Sequence, residues 1–357
     1  MTLIRFFFTA LLITANLAAL SAKKPLIKNV IFMIGDGMGL AQLYAGMTES
    51  ETPLAVEEFP YTGISKTYSA NNYVTDSAAG GTALACGQKT DNGMIGVTPD
   101  GSPIYSTLHI LAQNGWATGL VVTSSITDAT PASFVAHQPK RSMHEEIAAD
   151  FMTYTPDIFV GGGRKYFDER KDDRNLLTEL AGNGYDVADN LDEVLRSESP
   201  KIVGLLAQDG MPSMLDKRGD MLPLATEKAI KTLSRNPKGF FLMVEGSQID
   251  WQAHGNKTEG VVAETIDFDK AVRKALDFAR ADGNTLVIVT ADHETGGMAI
   301  AGGSISKNEV KADFSTKNHS AIPVIVYAYG PGAEQFSGIM ENTAMKGKIL
   351  DLMKIKE

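Results

Sequence analysis

Asn29-Val30-Ile31-Phe32-Met33-Ile34, closed by Gly35-Asp36-Gly37, is an apolar run of strand length ending in a glycine-flanked aspartate. A run without polar interruption has both faces buried, the pattern of a central parallel strand rather than a half-solvated antiparallel one. Similar runs recur at 118–123, 158–160, 239–244, 285–290 and 323–327, with helical patterns at 105–114, 222–234 and 262–281. Strands alternating with helices predict an α/β fold, a three-layer α/β/α sandwich around a central, mostly parallel sheet. Residues 165–220 carry the weakest pattern and are expected to form a peripheral insertion on one domain spanning 23–357.

The chain has 357 residues, 43% hydrophobic and 21% charged, enough to bury a large core. A formal charge of −10 argues against nucleic acid as a general partner. At the N-terminus, Arg5 precedes an apolar run from Phe6 to Leu20, and Ala19-Leu20-Ser21-Ala22 offers small residues for cleavage. The run is shorter than the roughly 20 residues that span a bilayer, so residues 1–22 read as a secretory signal peptide. The mature chain is then expected to be periplasmic or secreted, and free of the membrane. Cys86 is the only cysteine, and its alanine-rich neighbours predict a buried, unreactive thiol.

Ligands of parallel sheets bind beyond the carboxyl ends of the strands. Asp36, Glu245 and the pair Asp292-His293 all follow such ends. In Glu245-Gly246-Ser247-Gln248-Ile249-Asp250-Trp251-Gln252-Ala253-His254, a helix would set Asp250 and His254 on one face, where they can grip a zinc ion. His319 could be a distant third ligand. In Thr75-Asp76-Ser77-Ala78-Ala79-Gly80-Gly81-Thr82-Ala83, a helix would place Ser77 at its N-terminus, where backbone N–H groups favour an anion. Ser77 reads either as part of a plain cap or as a nucleophile, and no base stands beside it in the sequence.

Five separated motifs stand in order along the chain: Gly35-Asp36-Gly37, Asp76-Ser77-Ala78, Ser125-Ile126-Thr127-Asp128-Ala129-Thr130 with Arg141, Glu245 through His254, and Thr290-Ala291-Asp292-His293-Glu294 with His319. Through them the chain resembles the alkaline phosphatase family over roughly Leu26 to Gly332. The resemblance implies two zinc ions and one magnesium ion. Asp250, His254 and His319 would hold the first zinc; Asp36, Asp292 and His293 the second, with deprotonated Ser77. Thr130 and Glu245 would hold the magnesium, bridged by Asp36, with Asp128 reaching it through water. Ser77 would attack a phosphate monoester to give a phosphoserine, which water then hydrolyses. Arg141 would fork onto two phosphate oxygens, favouring monoesters over diesters.

Trp251 stands where many family members have lysine or histidine, which removes a water-mediated contact to phosphate, and it is expected beside the substrate. Asp128 favours magnesium as the third metal. Family members are often dimers, so a homodimer is expected, and the short, Gly-rich stretch 295–318 predicts an open site. A serine esterase is the rival reading, since Ser77, Asp292 and His319 follow the order of an α/β-hydrolase triad. Its Gly-x-Ser-x-Gly turn is absent, because Thr75 stands at the first glycine position.

Overall fold

The computed structural model describes residues 27–356, so the signal-peptide reading lies outside the described residues. In chain order the strands are β1 (Asn29–Gly35), β2 (Tyr61–Lys66), β3 (Ala117–Ser125), β4 (Ile158–Gly162), β5 (Asp186–Ala188), β6 (Ile202–Leu205), β7 (Phe240–Gly246), β8 (Thr285–Thr290), β9 (Glu294–Thr295), β10 (Met298–Ser304), β11 (Glu309–Phe314), β12 (His319–Ser320), β13 (Val324–Tyr329) and β14 (Gly338–Glu341). Ten of them form one sheet in the order β14-β2-β13-β8-β1-β7-β3-β4-β6-β5. Every neighbouring pair is parallel except the two made by β13, which runs against β8 and β2.

β1 shows why its sequence lacks alternation. Val30, Phe32 and Ile34 point into one core, packed with helices Ser77–Cys86, Thr107–Gln113 and Ala344–Met353. Ile31 and Met33 point into the other, packed with helices Met221–Leu233 and Thr258–Asp282. Helices cover both faces, which makes the expected three-layer sandwich. On the first face Phe134 lies between Phe32 and Phe241, with ring centroids 6.2 and 6.0 Å apart, within the range of favourable aromatic contacts.

Residues 165–220 contain β5 and β6, which form one edge of the central sheet. Strands of three and four residues are too short to show a period. The last apolar run, 323–327, forms the antiparallel β13, whose alternating burial reflects its half-covered position. Within 295–318, β10 and β11 form a small hairpin whose tip carries the exposed Ile305.

Candidate active site

The carboxyl ends of β1, β7, β3 and β8 converge on one polar cluster. Asp36 directly follows β1, Glu245 is the penultimate residue of β7, and Asp292-His293 follow β8. Helix Gln248–His254 starts immediately after β7, so Asp250 and His254 share a face, with Oδ2 and Nε2 3.3 Å apart. The short pairing of β12 with β9 sets His319 opposite Thr295 and delivers its ring from a distant part of the chain.

Ser77 opens helix Ser77–Cys86, with Asp76 as its N-cap accepting from the Ala79 N–H at 3.0 Å. The helix is buried throughout, and its small residues permit close approach. A Cβ on Gly80 would lie 3.2 Å from the Asp292 carbonyl oxygen, and one on Gly81 3.2 Å from Thr130 Cα. Ser77 Oγ thereby comes within 3.3 Å of His293 Nε2.

The donor atoms fall into three neighbouring groups. His254 Nε2, His319 Nε2 and the two Asp250 oxygens lie 3.1 to 3.5 Å from one another across the pairs formed. His293 Nε2 is 3.4 Å from Asp36 Oδ1 and 3.3 Å from Asp292 Oδ2. On the other side of Asp36, the Thr130 hydroxyl donates to Oδ2 at 3.4 Å, while Glu245 Oε2 accepts from Ser124 Oγ at 3.5 Å. Asp128 caps the turn at Ala129–Ala132 and accepts from Arg141 Nη2 at 3.2 Å. Arg141 Nη1 donates to Asp76 Oδ2 at 3.3 Å, so two carboxylates brace the guanidinium beside the helix that carries Ser77.

Electrostatically the cluster is incomplete. Asp36 Oδ1 and Asp292 Oδ2 are buried without any hydrogen-bond donor. Burial, reinforced by Asp292, Asp250, Glu245 and Asp128, holds the Asp36 carboxyl well above the usual range. Burial and then Asp128 do the same to Glu245. Burial followed by Asp250 pushes Asp292 up to about 7. Asp250 is the exception: burial raises it, but the bond with His254 and the nearby His293 and His319 outweigh that and bring it to about 2. The same bond lifts His254 to about 8, whereas burial and then His319 lower His293 far below its ordinary value. Buried carboxylates without partners each cost several kcal/mol. Imidazole and carboxylate donors converging on shared points fit divalent cations, which supply the missing charge.

A profile of the alkaline phosphatase family matches residues 27–318. The chain belongs to the alkaline phosphatase family. Members of this family are phosphomonoester hydrolases, and the chain is an enzyme of that class. Alkaline phosphatase 4 of Bacillus subtilis is 34% identical over 425 residues, covering 96% of this chain and 92% of that protein. The alkaline phosphatase of Escherichia coli is 32% identical over 408 residues, covering 92% and 86%. The solved alkaline phosphatase of the Antarctic bacterium TAB5 is 44% identical, with a TM-score of 0.89 over 93% of this chain and 100% of that one. A variant of it, solved with Mg bound in the M3 site, is 43% identical with a TM-score of 0.88, covering 94% and 100%.

The alkaline phosphatase motifs of the sequence thus meet in space, while the esterase reading does not. Asp292 faces His293, and His319 turns its Nδ1 to the Thr75 carbonyl at 2.9 Å and its Nε2 to Asp250 and His254. Trp251 is 39% exposed and lies over Gly210, where an added Cβ would sit 2.4 Å from the indole. Spacing did not point to Thr295, whose hydroxyl donates to Asp250 Oδ1. Nor did it point to the backbone carbonyls of Thr75 and Lys317, which orient His319 and His254. Glu294 lies next to His293 in the last of the five motifs, which assign it no role. It is buried and accepts from Gln42 Nε2, the Gly297 and Met298 N–H groups and the Ser320 hydroxyl, fastening β9 to β12.

Proposed function

We propose that the protein hydrolyses phosphate monoesters through a phosphoserine on Ser77, with two zinc ions and one magnesium ion. One observation carries this reading. Ser77 Oγ, at the N-terminus of a buried helix, lies 3.3 Å from an imidazole nitrogen that also faces two unpartnered carboxylate oxygens. Asp250, His254 and His319 are assigned to one zinc; Asp36, Asp292 and His293 to the other; Thr130, Glu245 and Asp128, with Asp36, to magnesium. The magnesium reported in the M3 site of the TAB5 variant supports a third position. When bound, such cations lower the pKa of nearby hydroxyls and offset the charge of a phosphoryl group.

The protein's own residues do the rest. The helix N-terminus and the braced Arg141 guanidinium bind the phosphoryl oxygens. Ser77 Oγ forms a bond to phosphorus as the ester oxygen leaves and takes a proton to become the alcohol. Water then attacks on the same line, the Oγ–P bond breaks, and inorganic phosphate departs with Ser77 restored. A monoester dianion presents three non-bridging oxygens to the Arg141 fork and the helix N-terminus together, whereas a diester presents only two and carries one negative charge less. Trp251 is assigned to the rim beside the bound ester. We further assign the chain to the exported proteins and to homodimers, consistent with the reading of residues 1–22 and with the family.

The test is hydrolysis of a chromogenic phosphomonoester at alkaline pH by the metal-loaded protein. Activity should disappear after chelation and return when zinc and magnesium are added together. Activity indifferent to chelation would overturn the metal assignment.

A further inference from the structure

The three imidazoles of the site are each held at Nδ1. His319 Nδ1 lies 2.9 Å from the Thr75 carbonyl and His254 Nδ1 2.5 Å from the Lys317 carbonyl. A carbonyl only accepts, so both rings donate from Nδ1, and in the neutral ring Nε2 is left with its lone pair facing inward. The partner of His293 is different in kind. Its Nδ1 lies 3.3 Å from Thr295 Oγ1, and that hydroxyl is 2.5 Å from Asp250 Oδ1. Thr295, His293 and Asp250 are all buried, so water does not compete for these bonds.

A hydroxyl has one hydrogen to give. An ionised carboxylate accepts only, so the Thr295 hydrogen goes to Asp250, and Thr295 Oγ1 is left to accept from His293 Nδ1–H. His293 is thereby fixed with Nε2 unprotonated and turned toward Asp36, Asp292 and Ser77. The backbone secures the hydroxyl: the Thr295 N–H donates to the Gly37 carbonyl at 3.1 Å, and Thr295 pairs with His319 across β9 and β12.

We propose that Thr295 is a positioning residue that couples the two zinc groups. One hydroxyl orients the Asp250 carboxylate of the first and sets the tautomer of His293 in the second. The inference rests on the two-zinc reading given above. Partners of this kind typically change metal affinity by 10- to 100-fold.

Zinc retained by the loaded protein against graded chelator concentrations, measured as bound metal, tests it. Thr295→Val should weaken retention of both zinc ions by about 10- to 100-fold, whereas Thr295→Ser, which keeps the hydroxyl, should stay within about threefold of the parent. Melting of the metal-free forms should remain close to the parent, separating this effect from a general loss of fold. Should the valine form fail to fold, Thr295→Ala replaces it with the same expected loss. Parent-like retention by Thr295→Val, or equal loss in Thr295→Ser, would overturn the coupling role. A parent protein that binds no zinc would instead remove the two-zinc reading, and this inference with it.

Discussion

At the residue scale, two kinds of side chain divide the work around Ser77. Aspartates and histidines build a negative, cation-seeking cluster, and Arg141 faces it with a permanent positive charge. Its pKa reflects that position: burial opposes the charge, but Asp128, Asp76 and Asp36 outweigh it and raise the value. Arg141→Ala should lower kcat/KM for a monoester by about 10- to 100-fold, the worth of hydrogen bonds to a charged group. It should also narrow the preference for monoesters over diesters, which parallel assays of both esters would measure. Asp76 serves the helix and the arginine together. Asp76→Ala should cost about 1 kcal/mol of stability as a lost cap, read from thermal melting, and should raise KM as Arg141 loses one brace.

At the element scale, close backbone approach positions the strand ends. Gly162 terminates β4 where an added Cβ would lie 1.8 Å from the Asp209 carbonyl oxygen. Gly162→Ala should therefore displace the 207–211 loop, which also carries the Gly210 shelf under Trp251. Overpacking of this kind costs about 1–3 kcal/mol, occasionally more; a lower melting temperature and altered tryptophan fluorescence would register it. Sequence pattern served well where elements are long and wholly buried. β8 was legible to the residue, and so was Ser77 as the first residue of its helix. It served poorly at β5 and β6, which are too short to show a period, and at the direction of β13, which an apolar run does not encode. At the site, ligands at strand ends were readable from the apolar runs before them. Thr295 and the carbonyls of Thr75 and Lys317 were not, since a hydroxyl has many uses and a backbone carbonyl leaves no sequence mark.

At the scale of the whole molecule, the fold gathers carboxylates that repel one another unless cations are present, so stability, metal and pH are linked. Asp36 and Glu245 are raised and Asp292 is pushed up to about 7. Without metal, the folded chain keeps protons that the unfolded chain releases between the ordinary carboxylate range near 4 and about 7, so stability falls as pH rises through that window. The chelated protein should melt lower at pH 8 than at pH 6, and the gain on adding zinc and magnesium should widen over the same interval. Calorimetry of loaded and chelated protein at both pH values would check this. The central claim, however, is that Ser77 is the nucleophile of a site assembled from both ends of the chain. The turnover of Ser77→Ala, with its bound metal measured in the same sample, tests it most directly. Turnover should fall by at least about a thousandfold, as expected for loss of a covalent nucleophile, while metal content stays near that of the parent. Full turnover by metal-loaded Ser77→Ala would contradict the account.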